Sequence, residues 1–394
     1  MKPFAIRAQQ ASVSLIKQIS AEAHKDHTII NLSQGIPSFS TPAYIREKIA
    51  KALTDDEPGI GKYSVYMGQA DLREAIARQL TSEWKKQVDG ENELFVSAGA
   101  MEGLMAIAMA LIDPGDEVII PSPDYGPHFQ HLHLTGAKQV LVPLDEKNGW
   151  AWDIDAVEKA ITPKTKLLIL TNPGNPCGNV YTKADLERIA SIAKAHDLWV
   201  LVDETYYYLT YDNTPFTPAA TIDDFDGRLV VVRSFSKEYA MTGWRLGFIY
   251  APAPLIKEAL KMHDPMVIAA STVSQRAGLI ALKNRDKTID TMVNEFSARK
   301  DAISTALEGL APHFSFIRPK GAYYVFVKVH PDTLKKFGPT TIDFAHRMIK
   351  EAKVAVVPGV EFKSPTDEFI RFSFGNDIAT IEEGITRIKK WLNS

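Results

Sequence analysis

The sequence lacks several features that mark secreted, membrane-bound or nucleic-acid-binding proteins. It has one cysteine in 394 residues, so it can form neither an internal disulfide nor a cysteine-based zinc site, and a reducing compartment fits best. No stretch approaches ~20 consecutive apolar residues, and Lys2, Arg7 and Lys17 interrupt the start of the chain. The 45 basic and 48 acidic residues give a net charge of −3, which disfavours nucleic-acid binding. We expect a cytoplasmic protein with no nucleic-acid or membrane partner.

Common catalytic and metal-binding motifs are also missing. The sequence has no G-x-G-x-x-G after a strand, no G-x-x-x-x-G-K-[ST], no H-E-x-x-H and no G-x-S-x-G. His128, His131 and His133 lie close together, but no carboxylate or cysteine lies within their run, so we interpret them as ordinary core or surface residues. Cys177 lies in a turn without a partnered base, which favours a small filler over a nucleophile. We therefore predict no metal site.

What the sequence does contain is an alternation of β-rich runs and amphipathic segments. Seven runs are predicted as strands, at 94–97, 117–121, 139–143, 166–171, 198–203, 229–234 and 246–250. Most are nearly continuous in Val, Ile and Leu, which is typical of strands buried on both faces of a parallel sheet. The segment 183–196 has a helical apolar pattern, with Thr182 as its N-cap. These patterns predict an α/β fold with a mostly parallel seven-stranded sheet between helices.

The two ends of the chain differ from this middle part. Helices are predicted at 300–310 and 381–392, and strands at 314–329, 354–358 and 369–374. Strands in succession with flanking helices favour a smaller α+β domain. We predict an N-terminal arm and loop at 1–45 that joins this small domain, a large domain at 46–290, and the small C-terminal domain at 291–394.

Residues suited to binding an anion follow several of the predicted strands. Small residues at 98–101 open a helix, which leaves backbone N–H groups free for a phosphate, although such turns also serve close packing. Ser234, Ser236 and Arg245 follow another strand and can also bind phosphate. The carboxyl ends of parallel strands meet at one edge of a sheet, so we expect these groups to lie together.

The same edge carries residues suited to a cofactor ring. Asp203 ends an apolar strand, where a carboxylate is costly unless it meets a cation such as a protonated ring nitrogen. Lys237 can form a Schiff base or be a solvated surface lysine, and Tyr125 can stack on a ring or fill the core. Asn175 is a possible side-chain donor in a turn. Together these residues indicate pyridoxal phosphate.

Several segments of the sequence resemble the motifs of a known family. The segment SFSKEYAMTGWRLGF resembles the lysine region of class I/II aminotransferases, which are fold-type I pyridoxal-phosphate enzymes. NPGNPCG resembles their N-P-x-N-P-T-G turn, with Cys177 in place of the usual Thr, and DETYYYL resembles their D-E-x-Y strand end. NLSQGIPSFSTP resembles their substrate loop, and the resemblance runs from about Ile30 to the C-terminus.

The resemblance implies a role for each matching residue. Lys237 would hold the cofactor and later carry the proton from the substrate Cα. Asp203 would pair with the ring nitrogen, Asn175 and Tyr206 would donate to the ring hydroxyl, and Tyr125 would stack on the ring. The catalytic set is therefore Lys237, Asp203 and Tyr206.

The resemblance also implies a phosphate site and a carboxylate site. The phosphate would be held by Gly99, Ala100, Met101, Ser234, Ser236 and Arg245, with Tyr63 reaching in from a second subunit. Arg371 would bind the substrate α-carboxylate, helped by Asn175 and Gly35. Because the site would be shared between subunits, a homodimer follows.

The expected activity is that of a pyridoxal-phosphate aminotransferase acting on an α-amino acid and a 2-oxo acid, with 2-oxoglutarate as the expected acceptor. Met101 has no charge to bind a second carboxylate, which favours neutral, aromatic or sulfur-containing donors. The residues expected to line the substrate pocket, Ile36, Tyr63, Tyr66 and Tyr125, are largely aromatic and are consistent with this preference. Aspartate aminotransferase and a β-lyase for Cys-S conjugates are the alternatives. A non-catalytic transcription regulator is disfavoured, because no basic helix-turn-helix extension is present.

Overall fold

The computed structural model describes residues 2–394, apart from the side chains of residues 286–288. The helices are α1 (Ile6–Gln10), α2 (Leu15–Ala23), α3 (Ala43–Thr54), α4 (Ala70–Trp84), α5 (Ala100–Leu111), α6 (Gly126–Thr135), α7 (Ile154–Lys159), α8 (Lys183–Ala195), α9 (Phe235–Glu238), α10 (Ala253–Val267), α11 (Thr272–Leu282), α12 (Asp286–Glu308), α13 (Pro331–Phe337), α14 (Thr341–Arg347) and α15 (Ile378–Leu392). The strands are β1 (Ile30–Asn31), β2 (Leu94–Ser97), β3 (Glu117–Ser122), β4 (Lys138–Asp145), β5 (Ala151–Trp152), β6 (Thr165–Thr171), β7 (Trp199–Asp203), β8 (Leu229–Ser234), β9 (Gly247–Tyr250), β10 (Phe314–Phe316), β11 (Tyr324–Val329), β12 (Val354–Ala355), β13 (Val357–Pro358) and β14 (Phe369–Ser373).

The large sheet confirms the predicted α/β architecture. Its order is β2-β9-β8-β7-β6-β3-β4-β5, and the five strands from β8 to β4 run parallel. The strand β9 is antiparallel to both of its neighbours. All seven predicted strands are present within two residues of their predicted bounds. The predicted count of seven is nevertheless wrong, because β5 adds an eighth strand, and its two residues are too few to show a periodic pattern.

The central strands are buried on both faces, as their continuous apolar sequence predicts. In β7, Val200 and Val202 belong to one core cluster, whereas Leu201 belongs to the cluster on the opposite face. Helix α8 covers one of these faces with Leu186 and Ile189, among others. Its predicted N-cap is confirmed, because Thr182 and Asp185 form a reciprocal capping box. Polar side chains in the central strands are therefore found only near the strand ends.

A second core is built from both ends of the chain. Strands β10, β11, β14 and β13 form an antiparallel sheet, and β1 pairs in parallel with β12. Ile19 and Leu32 from the N-terminal segment pack in the same cluster as these C-terminal elements. The run predicted as one strand at 314–329 is two strands, β10 and β11, separated by a turn around Pro319 and Gly321. The predicted boundary at 290–291 falls inside α12, and the division into domains stays a prediction.

The N-terminal segment is more regular than the predicted arm and loop, because it contains α1 and α2. The start of α2 is attached to the C-terminal part of the chain, where the Ser14 hydroxyl and the Leu15 N–H (2.9 Å) both donate to the Glu361 carboxylate. Among the described residues, none of the helices has the length and apolar character needed to span a bilayer.

Candidate active site

The candidate site is a cavity of about 390 Å³ at the carboxyl ends of the central strands. Thr171, Asp203 and Ser234 are the last residues of β6, β7 and β8, and all three line it. Twelve of the fourteen predicted site residues line this cavity: Gly35, Ala100, Met101, Tyr125, Asn175, Asp203, Tyr206, Ser234, Ser236, Lys237, Arg245 and Arg371. The fold therefore brings together residues that are up to 336 positions apart in sequence, from Gly35 to Arg371.

The Lys237 amine lies inside this cavity and donates a hydrogen bond to the Gly35 carbonyl. Loss of water around the amine, followed by the charges of Arg245, Arg371 and Lys17, lowers the pKa of Lys237 to about 7. A substantial fraction of the amine is therefore uncharged near neutral pH, which is the form that acts as a nucleophile or base. A Cβ at Gly35 would overlap the Tyr324 hydroxyl, so the backbone can approach this closely only with glycine there.

The Asp203 carboxylate has a partner that the sequence did not reveal. The His128 imidazole lies between two carboxylates, with Nε2 3.5 Å from Asp203 Oδ2 and Nδ1 3.3 Å from Asp124 Oδ2. Asp124 in turn accepts from the Thr171 hydroxyl (2.7 Å), and Asp203 accepts from the Thr205 N–H (2.9 Å). His128 is a core histidine, as one of the two sequence interpretations had it, and its ring makes ion-pair contacts with the carboxylates of both Asp124 and Asp203.

The three neighbouring histidines differ in their surroundings. Burial opposes protonation of His128, but Asp124 and Asp203 outweigh it and raise the pKa of His128 to about 9. Burial lowers the pKa of His131 to about 4, so this ring is neutral. His133 is partly exposed and contacts the Arg7 carbonyl. Among the described residues, no cluster of histidine, cysteine or acidic side chains could hold a metal ion.

The raised pKa of His128 predicts a pH-dependent contribution to stability. A histidine whose pKa is higher in the folded state stabilises the fold fully below the unfolded value of 6.5 and loses this effect as pH rises through about 9. For His128→Asn, the loss in free energy of unfolding should therefore be about 3 kcal/mol larger near pH 6 than near pH 9.5. Urea unfolding at both pH values measures this difference. His133→Asn is the control, and a loss for His128→Asn that does not change with pH would contradict the prediction.

The phosphate-binding turn predicted at 98–101 begins helix α5. Gly99 has a φ of +82°, a conformation that favours glycine, and a Cβ there would overlap the Arg245 guanidinium. The Glu102 carboxylate accepts from the Ala98 N–H (3.1 Å) and contacts His263 Nδ1 (2.9 Å), which fixes the turn. The first N–H groups of a helix have no partner within it, so those of α5 are available to an anion. Gly99 itself does not line the cavity.

Arg371 forms the other end of the site and is buried without an acidic partner. Its Nη1 donates to Asn175 Oδ1 (2.9 Å) and its Nη2 donates to the Ser33 carbonyl (2.6 Å). The Nε–H is buried and has no hydrogen-bond partner among the described residues, and no described ion pair includes Arg371. A buried guanidinium without an anion is costly, so this arrangement favours a site for a carboxylate.

Aromatic hydroxyl groups lie between these charged residues. The Tyr206 and Tyr324 hydroxyl oxygens are 2.7 Å apart, and the Arg371 guanidinium lies 4.4 Å from the centre of the Tyr324 ring. The Tyr125 hydroxyl contacts the Met101 sulfur at 3.6 Å. Cys177 is buried, and burial raises the pKa of its thiol, so it remains protonated and unreactive.

Sequence reasoning missed several residues that line the cavity. Tyr324 lies within the segment PKGAYYVFV, where no local pattern marks it as a site residue. The stretch 12–17 has no motif, yet it contributes five residues to the cavity: Ser12, Val13, Ser14, Ile16 and Lys17. Their position depends on α2 packing against distant elements, which no local pattern shows.

Two of the aromatic residues that were predicted to line the substrate pocket do not line the cavity of their own chain. Tyr63 is 83% exposed and Tyr66 is 48% exposed, and neither lines the cavity. Ile36 and Tyr125 do line it. The role of Tyr63 was predicted for a second subunit, so it stays a prediction.

Comparison with known proteins identifies the family. The model of the family described as aminotransferase class I and II matches residues 27–388. The chain belongs to this family. It is therefore an enzyme that transfers amino groups, in agreement with the prediction from its motifs.

The relatives of this aminotransferase have different names. The aspartate aminotransferase of Pyrococcus abyssi is 35% identical over 92% of each chain. The aromatic-amino-acid aminotransferase 2 of Thermococcus litoralis is 33% identical, covering 98% of this chain and 97% of its own. The crystal structure of aspartate aminotransferase from Thermotoga maritima superposes with a TM-score of 0.90 at 30% identity, covering 99% of this chain and all of that one. Similarity alone therefore does not select one amino donor.

Proposed function

We propose that this aminotransferase uses pyridoxal phosphate and that the cavity described above is its active site. The arrangement of charges supports the proposal. Asp203 offers a carboxylate for a protonated ring nitrogen, and the turn at Gly99 with Arg245 offers an anion cradle. Lys237 offers a partly uncharged amine between them. When bound, pyridoxal phosphate supplies an aldehyde that takes up the amino group and a ring that withdraws electrons from the substrate Cα.

The residues around the cavity then have distinct roles in the proposed reaction. Arg371 binds the substrate α-carboxylate through its unpaired Nε and orients the molecule, with Asn175 and Ser33 holding the guanidinium in place. Lys237 Nζ accepts the proton from the substrate Cα, which its lowered pKa permits near pH 7. His128 keeps the Asp203 carboxylate oriented.

For the substrates, we propose a neutral, aromatic or sulfur-containing amino donor and 2-oxoglutarate as acceptor. Apolar side chains support this choice, because Val13, Ile16, Ile36, Met101 and Leu104 all line the cavity. Several relatives are named aspartate aminotransferase, so aspartate is the second candidate donor. A β-lyase acting on Cys-S conjugates would use a similar set of cofactor-binding residues.

A single half-reaction tests this proposal. The enzyme loaded with pyridoxal phosphate is mixed with one amino acid and no acceptor, and the products are measured by absorbance and by assay for ammonia. We expect phenylalanine, methionine or leucine to convert the cofactor to its amine form, with one equivalent of 2-oxo acid and no ammonia. Release of pyruvate and ammonia from a Cys-S conjugate at a higher rate would favour the lyase. Faster conversion by aspartate would replace the proposed donor class.

We further propose a homodimer in which Tyr63 enters the partner's site. The support is an exposed apolar region that includes Tyr63, Val65, Tyr66 and Ile268. The loop that contains three of these residues is attached to α11, where the Thr272 hydroxyl donates to the Lys62 carbonyl (2.6 Å).

Mixed dimers test this arrangement. Tyr63→Ala and Lys237→Ala, each inactive or nearly so alone, should together restore about a quarter of the wild-type activity after unfolding and refolding as a mixture, because half of the dimers contain one intact site. Two separately refolded variants combined afterwards are the control. A monomer mass by light scattering, or no restored activity in mixtures that do form dimers, would contradict the proposal.

A further inference from the structure

Helix α2 brings to the cavity a positive charge that the proposed function does not use. Four cationic side chains line the cavity: Lys17, Lys237, Arg245 and Arg371. The last three have proposed partners in the cofactor or in the substrate α-carboxylate. Lys17, by contrast, is exposed, and its amine has neither a hydrogen bond nor an ion pair with any side chain or backbone group that the structure describes.

The position of Lys17 is fixed by the contacts of its helix. Both Ser14 and Leu15, in the turn before it, donate to the Glu361 carboxylate. After Lys17 along the same helix, the Ser20 hydroxyl accepts hydrogen bonds from the side chains of Asn31 (3.4 Å) and Gln34. These bonds hold both ends of the helical turn that carries Lys17. The backbone of Lys17 is therefore held beside the cavity, while its long side chain keeps its own freedom of movement.

The surroundings of Lys17 leave it available to an anion from solution. Glu361 is the acidic residue attached to the same turn, but its two oxygens are occupied by Ser14 and Leu15, and no described ion pair joins it to Lys17. Asp203, the acidic residue that lines the cavity, is paired with His128. The neighbours of Lys17 that line the cavity, Ser12, Val13, Ser14 and Ile16, are uncharged.

We propose that Lys17 binds the second carboxylate of a dicarboxylic substrate such as 2-oxoglutarate, while Arg371 binds the first. This inference rests on the proposed function of the cavity. An aminotransferase that alternates between a neutral donor and a dicarboxylic acceptor needs a cavity wall that accommodates the apolar side chain of the donor and the second carboxylate of the acceptor. A long, exposed lysine meets this need, because its amine can approach a carboxylate or remain in water when an apolar side chain occupies the cavity. Lys17 also lies close enough to Lys237 to be the smallest of the four causes that lower the pKa of that amine.

Kinetics of the loaded enzyme with two acceptors test the inference. In Lys17→Gln, kcat/KM for 2-oxoglutarate should fall about tenfold or more, whereas kcat/KM for pyruvate and for a neutral amino donor should change less than about twofold. Lys17→Arg should restore most of the activity with 2-oxoglutarate. Lys25→Gln, which removes an exposed lysine just beyond α2, is the matched control and should match the wild type.

The other outcomes overturn the inference in distinct ways. Equal losses with both acceptors would show that Lys17 supports the cavity as a whole, and no loss with 2-oxoglutarate would show that it does not bind the second carboxylate. A wild-type enzyme that accepts pyruvate but no dicarboxylate would also exclude the role. In all three cases transamination itself remains. If the wild type transfers no amino group from any amino acid, the proposed function fails instead.

Discussion

Lys237→Ala should lower the rate of transamination by more than about 10⁴-fold, because the variant loses both the amine that holds the cofactor and the base that accepts the Cα proton. The visible absorbance of the lysine-bound cofactor should be lost as well. Stopped-flow spectroscopy of the half-reaction and the spectrum of the purified protein with added pyridoxal phosphate measure the two effects.

The controls separate loss of chemistry from loss of structure. Lys257→Ala removes an exposed lysine on α10 and should retain wild-type activity and spectrum. Thermal unfolding of Lys237→Ala should show no large loss of stability, since the variant removes a desolvated amine that is repelled by the charges of Arg245, Arg371 and Lys17. If the alanine variant retained both the absorbance and full turnover, the assignment of Lys237 would be wrong.

Arg371→Lys should lower kcat/KM for amino acids by about 100-fold, mainly through KM, because an ammonium cannot reproduce the planar fork of a guanidinium. Arg371 also contacts Asn175 and the Ser33 carbonyl, so part of the effect could arise from a shift of these residues.

A donor that has no α-carboxylate distinguishes the two causes. With a simple primary amine as donor, wild type and Arg371→Lys should react at similar, low rates, because neither forms the carboxylate contact. The affinity for pyridoxal phosphate should also be unchanged. A loss of equal size for the amine and for the amino acid would contradict direct binding of the α-carboxylate by Arg371.

Local sequence patterns predicted the parts of the site that are formed locally. The central strands are continuous apolar runs, so a polar or charged residue such as Asp203 at their ends stands out, and parallel topology brings these ends together. The turn at Gly99 and the segment around Lys237 were predictable for the same reason. In each case one short segment supplies several residues of the cavity: Ala100 and Met101 after Gly99, and Ser234 and Ser236 beside Lys237.

Contacts between distant segments could not be predicted in this way. His128 orients Asp203, which lies 75 positions away in sequence, and a histidine on a helix shows no pattern that reveals such a partner. Lys17 reaches the cavity because α2 is attached to Glu361 and packs against the C-terminal core. The two-residue strand β5 has too few residues for any periodicity. In each case the position depends on tertiary packing and not on local preference.

The uneven distribution of charge has a consequence for the speed of substrate capture. The chain as a whole carries a net charge of −3, yet Lys17 and Arg371, two cationic residues that are not assigned to the cofactor, both line the cavity. A positive concavity in a negative protein focuses the field on its own opening, so anions diffuse toward it while the remaining surface repels them. Salt screens such a field over ~10 Å at 0.1 M ionic strength. Association rates for carboxylate substrates should thus depend on ionic strength far more than the small net charge of the protein would suggest.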